Sequence, residues 1–546
     1  MARFPFLIWF LALAVPSSAQ DTPAPTATFG SDITVQLVTV EVRVDDKKGR
    51  PVTDLEKSDF AVFVDGQAVE LAHFERVTPE PRKAEPDAPA PLEIQDWLAI
   101  YLDRGNLRPS AVKRLGAGLD AFLSGPLPAD LKILVASQDP TPRILQVLTT
   151  DKAAVRAAIA AELARDSASA QATALRGGKR IFTEIADTHR LFGGDCERSF
   201  ASLLGLAKDY AGTVLGRVEQ SIAGLDEITR FLQGLPGRKT LLYAADTLEI
   251  QPGFEALQYV TELCPERAGA STVSAATTSL DRTNRYRRFT KAATAAGVTL
   301  YTVEAMGLET SVDMDTTDSL FKPSFDLDHF SRSNRQAGLF LLAKETGGKA
   351  LLNANELAKP MADVSRDMES YYLIGFPYPF NADGEIHDIG IKVEGHSFGV
   401  RYRPRFRDAP AQERLEGSLV ATLLLGDETN PLNVGLAVAP RTEAPRAARA
   451  AVTIPLEKLT LVRDGEAVAG KVRLVLSLRD ASGRWLPARQ LTVPVRYEGL
   501  EAHRAEATAE FVIDIEAEAG EYLSAVAVRD EIGGETSFLR QAVSLQ

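Results

Sequence analysis

The chain has 546 residues, 45% of them hydrophobic and 25% charged, and a formal net charge of −13. That length suits roughly three or four domains rather than one globule. The acidic balance, with no block of Lys and Arg to form an electrostatic footprint, argues against nucleic acid as a partner.

Arg3, the apolar run from Phe6 to Val15 and the small residues up to Ala19 make residues 1–20 a secretory signal peptide. The run is short for a bilayer, and no later stretch approaches the roughly 20 apolar residues that a transmembrane helix needs. The mature chain is therefore expected to be exported, periplasmic or extracellular, with no membrane span after cleavage.

Val38, Val40, Val42 and Val44 alternate with Thr39, Glu41, Arg43 and Asp45, the period-two pattern of a strand with one buried face. Asp65-Gly66 between apolar runs is a two-residue hairpin signal. Residues 32–77 are thus an N-terminal β segment, too short to make a good sandwich alone. They are expected to pair with the strands predicted over 370–406, so that the domain between is an insertion into a β unit. Residues 78–93 form a Pro-rich, charged linker.

From 94 to 368 short apolar strands alternate with helical patterns: "WLAIYLD", "KILVASQ", "KTLLYAAD", "GVTLYTVEA" and "GKALLN" suit a parallel sheet buried on both faces. Helices are predicted behind Pro109 (Leu115, Leu119, Phe122), around Val155 to Leu163, from about Ser199 to Gln233, and near 282–296, 335–346 and 354–368. The fold class is α/β, a doubly wound, mostly parallel sheet. Residues 165–198 fit neither period and read as an insertion. The acidic loop with Asp313, Asp315 and Asp318 lacks the Gly turn and terminal Glu of a calcium loop and reads as solvated. Arg401, Arg403, Arg405 and Arg407 alternate and are expected to share one solvated strand face. Residues 416–546 repeat strand and turn patterns that argue for an antiparallel, immunoglobulin-like β-sandwich.

The two cysteines, Cys196 and Cys264, form either one disulfide, which an even pair in an exported chain suggests, or two buried thiols. Hydrolase, P-loop and dinucleotide motifs are absent from the sequence, and its six histidines are scattered. Open α/β sheets place ligands at the carboxyl ends of their strands, where Asp103 closes the first strand and Asp246 closes "TLLYAAD". Two carboxylates there could hold a hard divalent cation, or could instead cap a helix and satisfy loop amides.

The blocks "VTVEVRVDDKKGRPVTDLEKSDFAVFVDGQ", "LPGRKTLLYAAD" and "YYLIGFPYPFNADGEIHDIGIKV", in that order, make the chain resemble the acidobacterial-type proteins related to von Willebrand factor type A domains over roughly residues 33–406. The resemblance implies a doubly wound sheet and a metal-ion-dependent adhesion site for Mg²⁺ with the motif D-x-S-x-S. Its first Asp maps onto Asp103, its two Ser positions onto Gly105 and Leu107, and its later Asp onto Asp246, followed by Thr247 where Gly is usual. No Thr ligand can be assigned. The resemblance thus implies a degenerate site, Asp103 and Asp246, that is empty.

The expected function is a non-enzymatic exported interaction, adhesion or scaffold protein with a protein or cell-envelope ligand. The alternative is an exported metal-dependent hydrolase using Asp103 and Asp246.

Overall fold

The computed structural model describes residues 34–78, 95–166, 178–235, 237–267, 278–307, 324–381, 383–395, 397–410, 413, 415–419, 422, 429–441, 447–464, 467–480, 486–498 and 507–545. The signal segment, the linker from residue 79 and the loop with Asp313, Asp315 and Asp318 lie outside the described residues.

The chain opens with β1 (Thr34–Asp45), β2 (Phe60–Val64), β3 (Gln67–Val69) and β4 (His73–Val77). The β2–β3 turn places Asp65 and Gly66 at φ 49° and 81°, the left-handed pair that a two-residue hairpin requires. Next come β5 (Asp96–Asp103), α1 (Pro109–Ser124), β6 (Lys132–Gln138), β7 (Pro142–Thr149), α2 (Lys152–Ala164), α3 (Gly178–Leu191), α4 (Cys196–Gln233), β8 (Arg238–Ala245), α5 (Phe254–Leu263), α6 (Thr283–Ala295), β9 (Val298–Glu304), α7 (Phe325–Glu345), β10 (Ala350–Leu351) and α8 (Ala358–Glu369). The chain then returns to β structure with β11 (Tyr371–Phe380), β12 (Ile386–Val393), β13 (Gly399–Tyr402) and β14 (Arg405–Arg407).

The central sheet has the order β10-β9-β8-β5-β6-β7, parallel except for β7, which closes one edge antiparallel. Every residue of β5, β8 and β9 is buried, because helices cover both faces. Leu102, Ala244 and Val303 meet α1, α2 and α8 on one side. Tyr101, Tyr243 and Leu300 meet α4, α6 and α7 on the other.

Helix α4 runs 38 residues. Asp195 starts it, its carboxylate accepting from the amides of Glu197 and Arg198. Its second half lies on the sheet through Val218, Ile222 and Leu225. Its first half packs with α3 and α5 into a separate apolar cluster. The Cys196–Cys264 disulfide ties the start of α4 to the end of α5.

Strands from both sides of this domain interleave. β1 pairs with β11 and β13, and β11 also pairs with β4, giving the order β13-β1-β11-β4. A second sheet, β14-β12-β2-β3, faces it across Val40, Val62, Ile374 and Ile391. Residues 96–369 thus lie between two chain segments that share sheets. The C-terminal region holds β15 (Gly435–Pro440), β16 (Ala447–Pro455), β17 (Val462–Asp464), β18 (Ala467–Asp480), β19 (Arg489–Glu498), β20 (Thr508–Glu516), β21 (Gly520–Asp530) and β22 (Thr536–Leu545). All its pairs are antiparallel, in one sheet of order β15-β16-β20 and one of β17-β18-β21-β22 with β19 also on β18, around one apolar core.

Three local expectations need correction. The 165–198 stretch contains α3, whose apolar residues Ile181, Phe182 and Ile185 are buried against α4 and α5. Helix α7 begins at Phe325, ten residues before the periodic stretch, because the Ser324 hydroxyl accepts from the Leu327 amide and caps it. The arginine row is not one solvated face. Pro404 divides it, so Arg401 ends up in the first sheet, ion-paired with Asp45 and Asp367, and Arg405 and Arg407 in the second.

Candidate functional site at the strand ends

Alternation along β5 and β8 settles where the two carboxylates point. Tyr101 and Tyr243 are register partners whose rings stack at 5.9 Å on the α4 side, and Asp103, two residues on from Tyr101, continues that side. Its Oδ2 accepts from the hydroxyl of Ser221 on α4 at 2.5 Å and from the Tyr243 hydroxyl at 2.6 Å. The residue is 2% exposed. Burial pushes its carboxyl above the usual carboxylate range, while the hydrogen bonds from Ser221 and Tyr243 and the charge of Arg217 pull the other way. Beside it the Tyr101 hydroxyl donates to Gln138 Oε1 at 2.6 Å, and Gln138 in turn donates to the Gln220 carbonyl of α4.

Asp246 follows Ala244 on the opposite side and turns toward α1. Its Oδ2 accepts the Arg108 amide at 2.6 Å, with Arg108 Nε at 3.6 Å. A carboxylate at the first turn of a helix is favoured by the partial positive charge there. Asn106 locks the two loops together: its carbonyl accepts the Asp246 amide and its side-chain amide donates to the Thr247 carbonyl at 2.5 Å. Leu107, at the second Ser position of the adhesion motif, is fully buried in the core cluster under α1.

Arg104, next in the chain after Asp103, is 4% exposed. Its Nη2 donates to the Arg165 carbonyl at 2.8 Å. Burial lowers its pKa, offset by the charges of Glu162, Asp139 and Asp246. Glu162 itself is spent on Ser137 at 2.7 Å and on Arg143 and Arg165.

These residues do not fit a Mg²⁺ shell, which demands near-octahedral oxygen ligands at about 2.1 Å. Asp103 offers an oxygen already engaged by two hydroxyls, Gly105 and Leu107 offer no side-chain oxygen, and the Arg108 guanidinium 3.6 Å from Asp246 opposes a dication. Among the described residues the one group of three metal-type side chains is His189, Cys196 and Cys264. Its two sulfurs are bonded to each other.

Asp103 and Asp246 were legible in the sequence as strand-end acids; Ser221, Tyr243 and Arg104, which gather around or beside them, were not. Tyr243 carried a signal: it and Tyr101 hold the same place in two adjacent parallel strands, one residue pair before the strand ends.

No helix among the described residues is long and apolar enough to cross a membrane. No family model and no curated protein sequence matches the chain. Among solved structures, it is similar to an aerotolerance-related membrane protein from Bacteroides fragilis, at 9% identity over 50% of this chain and 98% of that one, with a TM-score of 0.22. BatB from Bacteroides thetaiotaomicron matches at 10% identity over 50% and 97%, with a TM-score of 0.20. The three N-terminal domains of the type V pili tip protein Mfa5 from Porphyromonas gingivalis match at 10% identity over 94% and 77%, with a TM-score of 0.26. At these scores the likenesses carry no argument about function.

Proposed function

We propose that the chain is a non-enzymatic, exported interaction or scaffold protein, in which a von Willebrand factor A-like domain with a degenerate metal site is held between β units, the C-terminal one immunoglobulin-like. The observation that supports this reading is the internal use of both strand-end carboxylates: Asp103 is bonded to Ser221 and Tyr243, and Asp246 to the start of α1. Acids engaged in this way are not disposed to act as general acid or base or to share an ion. The partner is a protein or cell-envelope ligand, met in the periplasm or outside the cell.

The alternative, a metal-dependent hydrolase, would need Asp103 and Asp246 on one ion. The two readings separate in a panel of chromogenic ester, peptide and phosphate substrates, with and without Mg²⁺, Mn²⁺ and Ca²⁺. The interaction reading expects no turnover above buffer. Metal-dependent turnover lost in Asp103→Asn would overturn it. A photo-crosslinking residue at position 108, on the rim of the strand-end loops, is expected to give a discrete adduct in cells, and the same residue at position 462 of the C-terminal region serves as the comparison.

A further inference from the structure

At the amino ends of β8 and β9 the α/β domain meets the first β unit, and a cavity of about 250 Å³ lies between them. Thr39 and Glu41 of β1, Arg238 of β8, Gly297 ahead of β9, and Arg403 and Arg407 line it. Most of these charges are matched. Arg238 pairs with Asp96, Arg407 with Glu413, and Glu41 with Arg43.

Two cations form no salt bridge among the described residues. Lys239 Nζ donates to the Leu235 carbonyl at 2.7 Å, and Arg403 Nη2 to the Thr39 carbonyl at 3.2 Å. They converge behind the cavity wall: a Cβ added to Gly297 would stand 2.8 Å from Arg403 Nη1 and 3.4 Å from Lys239 Nζ. Lys239 is 8% exposed. Burial and then the Arg403 charge drive its ammonium down to about 7. A third donor is unspent, since Arg238 Nη1 is buried without a hydrogen-bond partner among the described residues.

Two like charges withdrawn from water beside an open cavity are costly unless an anion joins them. Glu41 faces the same space and its charge acts on both groups, but Arg43 holds it at 3.3 Å, leaving a net positive excess centred on Arg403. We propose that this cavity binds a small dianionic oxyanion of the sulfate or phosphate type, held by the guanidinium groups of Arg403 and Arg238 with Lys239 behind them. Arg403 supplies a planar guanidinium suited to such an ion, and Arg238 adds the single Nη1 donor that its bonds to Asp96 leave over. Because its ligands come from β8 and the turn after β13, the ion ties the inserted domain to the β unit that carries it.

The test is calorimetric titration of the full mature chain with sodium sulfate, repeated with phosphate, against sodium chloride at equal ionic strength. The expected result is saturable binding of one sulfate per chain, with phosphate competing. Arg403→Met is expected to weaken it by about tenfold or more, whereas Arg473→Met, in the C-terminal region, leaves it unchanged. If Arg403→Met does not fold, Arg403→Lys, which keeps the charge and loses the fork, is expected to weaken binding instead. Absence of saturable binding to the wild-type chain, an equal response to chloride, or wild-type affinity in the folded Arg403 variant would each overturn the proposal.

Discussion

Replacing Asp103 distinguishes a structural acid from a metal ligand, and the local geometry sets the size of the effect. In Asp103→Ala the hydroxyls of Ser221 and Tyr243 lose a shared acceptor at 2.5 and 2.6 Å. Each buried donor left unmatched costs about 1–3 kcal/mol, so the variant is expected to lose about 2–6 kcal/mol. Asp103→Asn keeps an acceptor oxygen in place and removes only a charge that burial opposes, so it is expected to stay within about 1 kcal/mol of wild type. The pH dependence follows from the direction of the shift. Because the folded-state pKa of Asp103 lies above the ordinary 3.8, the folded state binds that proton more tightly. Its contribution is fully present below 3.8 and is lost as pH rises through the folded value. Stability measured as wild type minus Asn must therefore fall as pH rises from 3.8 through the raised folded value. Urea unfolding followed by Trp97 fluorescence, in a Trp485→Phe background, reports on β5 itself. An Asn variant as damaged as the Ala variant, or a difference that grows with pH, would refute the reasoning.

Other consequences can be measured in the same way. Gly224→Ala on α4 would normally favour a helix, but the new Cβ would fall 2.1 Å from Tyr101 Oη and 1.9 Å from Gln138 Oε1; calorimetric melting is expected to show a loss of about 1–3 kcal/mol. Removing the disulfide in a Cys196→Ser, Cys264→Ser double variant opens a loop of sequence separation 68 and is expected to cost about 4 kcal/mol in denaturant unfolding. Asp367, on α8, joins the inserted domain to β13 through two bonds from Arg401 at 2.7 and 3.0 Å. Burial would raise its pKa, but the Arg401 hydrogen bonds and charge, together with the Arg43 charge, outweigh it and hold the carboxyl below 3.8. Its contribution is therefore present above pH 3.8 and lost as pH falls through the folded value, and Asp367→Asn is expected to cost about 3 kcal/mol at neutral pH.

The central strands were legible because their burial is complete: "WLAIYLD" and "KTLLYAAD" are apolar on both faces, a pattern that one-sided strands do not share. The edge strand β7 escaped notice for the opposite reason. Pro142 to Thr149 is only partly buried and its register to β6 is irregular, so neither period dominates. Helix α5 was missed because its buried Glu255 breaks the apolar stripe of Ala256, Leu257 and Val260. At the site, the acids were visible as the last residues of two apolar runs, but their partners were not. Ser221 reaches Asp103 across 118 positions, a contact fixed by how α4 crosses the sheet rather than by any local spacing. Arg104 looked like a loop residue, yet the 3-10 turn of Arg104–Asn106 folds it inward and buries it.

Whether the proposed interaction platform works without a metal at its strand ends is decided by melting the mature chain in EDTA and in millimolar Mg²⁺, Mn²⁺ or Ca²⁺, alongside Asp103→Asn. An ion bound at one hundred times its dissociation constant would stabilise the folded chain by about 2.7 kcal/mol. Superimposable melts are expected in all conditions for both proteins. A rise with one of the ions that disappears in Asp103→Asn would contradict the proposal and return Asp103 to the role of ligand.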